Sequence, residues 1–294
     1  MAKRVPYSVN QSPFYRLSSK RKLAELLGFE MADFAKLVDD SNYHRFLNKQ
    51  GREIQHPIKE LDPVHSRIAK LLARLDLPDY LHSRKGRSYV SNAAAHMSDV
   101  PLIKTDISKF YPSTSFSSVF NLFRESFDCS PDVAWHLARL CCYKGMHLPT
   151  GSYLSGIIAF LAHRSMFDEI FELSRRAGCT MTCYVDDIVL SGSKATKTLL
   201  YEVRGIIARH GLAAKHEKSK TFPANKPKIV TGVVIRSDGL AIPNKRLQDA
   251  RRVRNLIMKT NDLSEKDRLR LSLKGKQQEA KQIHSFNLVK EKRK

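Results

Sequence analysis

The segment from Met181 to Leu190 constrains the architecture of this chain more than any other stretch. Apolar residues alternate along it, with Met181, Cys183 and Val185 on one side, and the pattern resumes at Ile188 and Leu190. Asp186 and Asp187 stand between the two apolar arms, at the tip of a predicted hairpin. An Asp-Asp pair suits a tight hairpin turn poorly, because Asn-Gly or Asp-Gly is favoured there. Adjacent carboxylates also repel unless a cation lies between them. A third carboxylate, Asp106, ends another apolar run far upstream. Three such acids suit a two-metal site, where ions roughly 4 Å apart clamp the attacking and leaving oxygens of a phosphoryl transfer. A solvated turn is the plain alternative for an isolated Asp-Asp pair, so the surrounding motifs must decide.

Composition narrows the partners. Lys and Arg number 51 against 29 acidic residues, a net charge of +22, which implies a polyanion bound through phosphate neutralisation. A membrane is the competing polyanion, but no basic amphipathic helix with an aromatic face stands out and no run approaches the ~20 apolar residues of a span. Met1-Ala2-Lys3-Arg4 lacks the apolar core of a signal peptide, and a cytoplasmic location is expected. The five cysteines, at 129, 141, 142, 179 and 183, show no C-x-x-C spacing and read as buried free thiols. With 294 residues the chain can bury a large core, expected as two or three lobes around one catalytic unit.

The first hundred residues read as helical and basic. Leu23, Leu26 and Leu27 lie at helical spacing between Ser18-Ser19 and Gly28, and a short helix is predicted over about Met31 to Val38. A loop carrying Gly51 and Pro57 follows, then Ile68, Leu71, Leu72 and Leu75 repeat until Pro78. From Pro101 strands alternate with helices: a strand ending in Asp106, a Phe-rich helix after Ser113-Thr114-Ser115, and a long helix over 157–177. The Asp-Asp hairpin comes next, then a helix closed by Gly211, strands at about 213–222, and two arms over 228–242 meeting at Ser237-Asp238-Gly239. This order is a split β-α-β pattern on one antiparallel sheet with helices on one face. The tail from Asn244 reads as helical and very basic to Lys294.

Several motifs then carry a family resemblance. Lys104-Thr105-Asp106-Ile107-Ser108-Lys109-Phe110-Tyr111-Pro112-Ser113 resembles the first catalytic motif of reverse transcriptases, and Leu148-Pro149-Thr150-Gly151-Ser152-Tyr153-Leu154-Ser155 resembles their L-P-Q-G-x-x-x-S motif. Tyr184-Val185-Asp186-Asp187 matches Y-x-D-D. Asn92-Ala93-Ala94-Ala95-His96 resembles the N-A-x-x-H element of retron reverse transcriptases, and Val230-Thr231-Gly232 their V-T-G element. Each motif is short, but their common order and spacing are specific, and the resemblance spans nearly the whole chain.

The resemblance implies an α+β right-hand polymerase fold, with a ferredoxin-like palm (antiparallel sheet plus helices), fingers and a helical thumb. The expected boundaries are 1–98 for the N-terminal helices and fingers, 99–242 for the palm with an interleaved fingers segment, and 243–294 for the thumb. Asp106, Asp186 and Asp187 would supply hard oxygen ligands for two Mg²⁺ ions. Lys218 occupies the family's lysine position near the leaving phosphates, with a solvated basic strand as the plain alternative. Tyr111 falls where the family carries an aromatic gate against ribose 2′-hydroxyls, although an ordinary core aromatic would fit beside Phe110.

Thr150 stands in place of the usual Gln and Gly156 in place of a common Pro, which puts the side-chain contact to nucleotide at Thr150 in question. Gly151 permits close backbone approach. Arg84 and Arg87, with Lys85 between them, are expected to grip triphosphate or template, or to be a solvated charged face. Asn92, His96, Val230, Thr231 and Gly232 are expected to read RNA, with a structural histidine as the alternative for His96. The implied partners are a cognate structured noncoding RNA, its cDNA product, dNTPs and an effector protein in antiphage defence, with no membrane. Other bacterial reverse transcriptases, of the group II intron or diversity-generating kind, remain open, as does a noncatalytic RNA-binding scaffold.

Overall fold

The computed structural model describes residues 5–291, with side chains through 287; the lysines and arginines of residues 1–4 and 292–294 lie outside the described residues. Nine strands are described: β1 (Tyr43–Leu47), β2 (Glu53–Pro57), β3 (Leu102–Asp106), β4 (Thr180–Tyr184), β5 (Asp187–Ser191), β6 (Lys220–Phe222), β7 (Lys228–Val230), β8 (Val233–Arg236) and β9 (Gly239–Ala241). The chain folds into two compact units interleaved in sequence. One comprises Met1–Asp79, Ile107–Phe171 and Arg204–Lys215, and the other Tyr80–Asp106, Glu172–Val203 and His216–Lys294.

The first unit is mainly helical. Its helix Lys20–Leu27 starts where Ser19 Oγ accepts from the Lys22 N–H and stops at Gly28, whose φ of 80° suits a residue without Cβ. Leu23, Ala24 and Leu27 face inward, as their spacing predicts. Leu61–Leu72 buries Leu61, Val64, Ile68, Leu71 and Leu72, and Pro131–Cys141 buries Val133, Ala134 and Leu137. Phe14 meets Phe123 and Phe127 edge-on in the same core. The hairpin β1–β2 replaces the loop expected around Gly51. Four of the five β1 residues are exposed, so the strand carries no apolar alternation to read.

The second unit contains an antiparallel four-stranded sheet in the order β4-β5-β3-β6. It also holds a three-stranded sheet, β7-β8-β9, whose inward residues Val230, Val233, Ile235 and Leu240 share a core with Val90, Ala93 and Ile283. Here the two expected arms over 228–242 become three strands. Thr231 and Gly232, with φ of 44° and 78°, insert a turn where a continuous arm was expected. Of the expected strand over 213–222 only the short β6 forms, preceded by one turn of 3-10 helix, His216–Lys218. The basic tail splits into Asn244–Lys259 and Leu263–Glu291, because Asp262 Oδ1 accepts from Ser264 N–H and starts a new helix.

The long helix over 157–177 is also divided, into Ser155–Ala162 and Arg164–Arg176. His163 breaks it at φ −113°, where its ring reaches Thr114 Oγ1 at 3.2 Å. The described helices include none long and apolar enough to cross a membrane. All five cysteines are free and buried.

Three buried histidines connect distant segments. His65 Nε2 donates to Leu140 O and its Nδ1 accepts from Ser152 Oγ, both at 2.7 Å. His96 bridges Thr182 Oγ1 and Ser191 Oγ, also at 2.7 Å each. Burial lowers the pKa of His65 and His163 to about 4 and of His96 to about 3. The unfolded chain takes up protons near pH 6.5 that these folded rings refuse. Their contribution is therefore intact above about 6.5 and lost as pH falls toward 4, by on the order of 3 kcal/mol for His65. Thermal unfolding between about pH 7 and pH 4.5 is expected to show a steep fall in melting temperature. A profile as flat as that of a His65→Asn variant would count against this account.

Candidate active site

The three carboxylates converge because β3 pairs with β5. In that register Asp106, the last residue of β3, lies opposite Asp187, the first residue of β5. Asp187 also pairs with Tyr184 across the β4–β5 hairpin, so the turn itself consists of Val185 and Asp186. The hairpin tip is thus one residue earlier than the alternation implied. Val185 has φ of 59°, a left-handed conformation uncommon for a β-branched residue. It is held there by Ser83 Oγ, which accepts from Val185 N–H at 3.2 Å, and by Cys183 Sγ, which donates to Val185 O.

Asp106 is 2% exposed. Lys218 Nζ, from the turn His216–Lys218, donates to its Oδ2 at 2.7 Å. Burial works against the Lys218 ammonium, but that hydrogen bond and the three nearby aspartates outweigh it and hold its pKa above the usual value. Asp186 is pushed up to about 6, first by burial and then by the charge of Asp106, with Asp187 adding and Lys218 opposing. Sequence reading missed a second cation, Lys104. It lies two residues before Asp106 on the same strand face, and a period of two was the available signal. Burial lowers its pKa while Asp187 and Asp106 pull the other way, and its Nζ donates to Ile229 O at 3.0 Å.

The remaining expected residues divide between the units. In the second unit, residues 84–87 form a basic loop closed by the Arg87 N–H to Arg84 O bond, with Gly86 at φ 82°. Asn92 and His96 are fully buried, as is Val230, while Thr231 and Gly232 are half-buried. Thr231 Oγ1 donates to Tyr89 O at 2.8 Å and accepts a long 3.5 Å bond from Asn92 Nδ2. Asn92 and Thr231, read separately in the sequence, therefore meet through their side chains.

In the first unit, Tyr111 is half-buried with its ring stacked near Phe110 and its hydroxyl beside Gly156. A Cβ on Gly156 would meet that hydroxyl at 3.5 Å, ordinary contact. Thr150 is buried. Its N–H donates to Gln55 Oε1 and its carbonyl accepts from Gln55 N–H, each at 2.8 Å. Gly151, at φ 130°, allows β2 to pass so closely that a Cβ would lie 2.7 Å from Ile54 Cγ2. The close approach at this glycine is thus made by the chain's own strand.

Asp106, Asp186 and Asp187 offer only carboxylate oxygens, the donor class hard divalent cations prefer. Burial first and then the charge of Asp106 raise the pKa of Asp186, and added positive charge would relieve the mutual repulsion of these carboxylates. These residues fit hard divalent ions. Among the described residues, no three acidic, imidazole or thiol groups form a ready-made metal cage, and Lys218 engages Asp106.

Residues 39–254 match the family described as reverse transcriptase (RNA-dependent DNA polymerase). The Retron Se72 reverse transcriptase of Salmonella heidelberg is 28% identical over 265 residues, covering 84% of this chain and 68% of that protein. The Retron Ec86 reverse transcriptase of Escherichia coli is 26% identical over 207 residues, covering 69% of this chain and 64% of that protein. The chain thus spans about two thirds of the length of these curated relatives. Apo telomerase from Candida tropicalis aligns with a TM-score of 0.49 and 12% identity, over 69% of this chain and 54% of that one. With the family match covering Asp106, Asp186, Asp187 and Lys218 and most of the chain between the ends, this protein belongs to the reverse transcriptase family, is of the retron type, and has the α+β right-hand fold of an RNA-directed DNA polymerase.

Proposed function

We propose that this chain copies part of a cognate structured noncoding RNA into single-stranded DNA, starting from a 2′-hydroxyl of that RNA and leaving a branched RNA–DNA. The observation that carries the reading is the register of β3 on β5, which sets Asp106 across from Asp187 with Asp186 beside them and Lys218 bonded to Asp106. Asp106, Asp186 and Asp187 would hold two Mg²⁺ ions, which when bound activate the primer hydroxyl and neutralise the leaving pyrophosphate. Lys218, released from Asp106, brings a proton or positive charge to that pyrophosphate. Tyr111 lies against the sugar of the incoming dNTP and excludes a 2′-hydroxyl. Thr150 and Gly151 contact the nucleotide through the backbone that Gln55 fixes, and Arg84 and Arg87 grip triphosphate or template.

The elements Asn92–His96 and Val230–Gly232 serve RNA recognition. The burial of Asn92 and His96 supports an indirect role for both, with Asn92 bracing the Thr231 turn and His96 bracing the hairpin strands. Residues 1–98, 99–242 and 243–294 are assigned to fingers, palm and thumb, divisions that cut across the two compact units. The likeness to retron enzymes further supports a cytoplasmic role in antiphage defence with an effector protein.

Asp186→Asn is expected to lower primer extension in Mg²⁺ on the order of 10³-fold, the equivalent of several kcal/mol of lost charge stabilisation. Parental activity in that variant would remove the metal mechanism. Tyr111→Ala is expected to raise the rNTP to dNTP incorporation ratio about 10-fold or more, and an unchanged ratio refutes the gate. Asn92→Ala and His96→Ala should separate. Losing the Asn92 bond is expected to cost priming on cognate RNA about 10-fold, more than extension of an annealed primer, while His96→Ala lowers both together. Identical loss profiles for the two variants would contradict the separate bracing roles.

A further inference from the structure

The strand β7 carries a lysine where its neighbours demand an apolar residue. Alternation puts Lys228 and Val230 on one face and Ile229 on the other. Val230 is fully buried in the shared core and Ile229 is 44% exposed, so Lys228 is the inward residue, at 2% exposure. Its Nζ donates to Ser98 O at 2.8 Å. An ammonium has three N–H groups, and among the described residues Lys228 makes no other hydrogen bond and no ion pair. A buried ammonium with no ion pair is costly, and one carbonyl does not neutralise it.

Lys228 lines a cavity of about 550 Å³ with Lys226 and Arg236. Asp99 and Asp238 are also in its wall and leave the cations in excess. Burial lowers the Lys228 pKa, and Asp99 partly opposes this. The cavity wall starts at Met97, directly after His96, and Lys228 stands two residues before Val230. The cavity therefore adjoins both elements assigned above to RNA. A phosphate brings several acceptor oxygens and the missing negative charge together, and lysine binds it as a point charge.

We propose that Lys228, with Lys226 and Arg236, forms a seat for one backbone phosphate of a folded RNA, a proposal that rests on the RNA-binding part of the reading above. The test is the affinity of the full chain for a transcribed RNA hairpin, measured over a salt series for wild type, Lys228→Met and Arg236→Ala, with folding checked by circular dichroism. Losing one phosphate contact is expected to flatten the slope of log affinity against log salt by about 0.9 for a duplex phosphate and about 0.7 for a single-stranded one. Arg236 is exposed, so its variant tests the seat even if Lys228→Met does not fold. Wild-type slopes in every folded variant would overturn the seat. A wild-type chain that binds the hairpin with a steep slope yet extends no primer would overturn the polymerase reading while leaving the slope comparison valid.

Discussion

The pairing of β3 with β5 is the interaction around which the second unit is organised. It brings two carboxylates from distant parts of the chain face to face, an arrangement that destabilises a sheet when nothing compensates it. Compensation comes from two lysines, Lys218 bonded to Asp106 and Lys104 on the same strand as Asp106. Register also matters, because a slip of one residue would turn every side chain of a strand to the other face. The His96 ring, bonded to Thr182 on β4 and Ser191 on β5, joins both arms of the hairpin in a buried environment where lost hydrogen bonds are expensive. A side chain from the turn that follows the helix Tyr89–Ala94 thereby ties together the two strands of the hairpin that presents Asp186 and Asp187.

Backbone strain marks the same elements. Among the described non-glycine residues with positive φ, the two β-branched ones are Val185 and Thr231, each inside a motif. Each costs roughly 1–2 kcal/mol and persists because its surroundings over-determine it. Ser83 and Cys183 hold Val185, while Tyr89 and Asn92 hold Thr231. Gly232 beside it adopts φ 78°, a left-handed conformation that favours glycine, and the movable Arg246 guanidinium lies where a Cβ would point. The tight turns presenting Asp186 and the Thr231 hydroxyl each receive a hydrogen bond from a distant segment, Ser83 at the first and Tyr89 and Asn92 at the second.

Polar burial follows a consistent logic in the first unit as well. Gln55 satisfies both backbone groups of Thr150, and Gly151 lets β2 lie against that loop. His65 ties Ser152 of the same loop to the carbonyl of Leu140. The segment Leu148 to Ser155 is thus braced by buried bonds from β2 and from a helix, which explains how a stretch with little regular structure keeps a defined conformation.

Much was legible in the sequence, where the governing forces are local. Capping by Ser19 and Gly28, the Asp-Asp hairpin, the basic surplus and the order of the motifs are written in residues close to one another or in simple counts. Other features were not legible. His163 splits a helix whose sequence contains no breaker, because its ring is drawn to Thr114. The β1–β2 hairpin shows no alternation because one of its strands is mostly exposed. By itself the sequence determined the acids, the family they imply and the chain's surplus of positive charge. Only the tertiary structure decided that Asn92 and His96 face inward, that Lys218 engages Asp106 and that Lys228 is buried, since burial and partner choice depend on residues far apart in the chain.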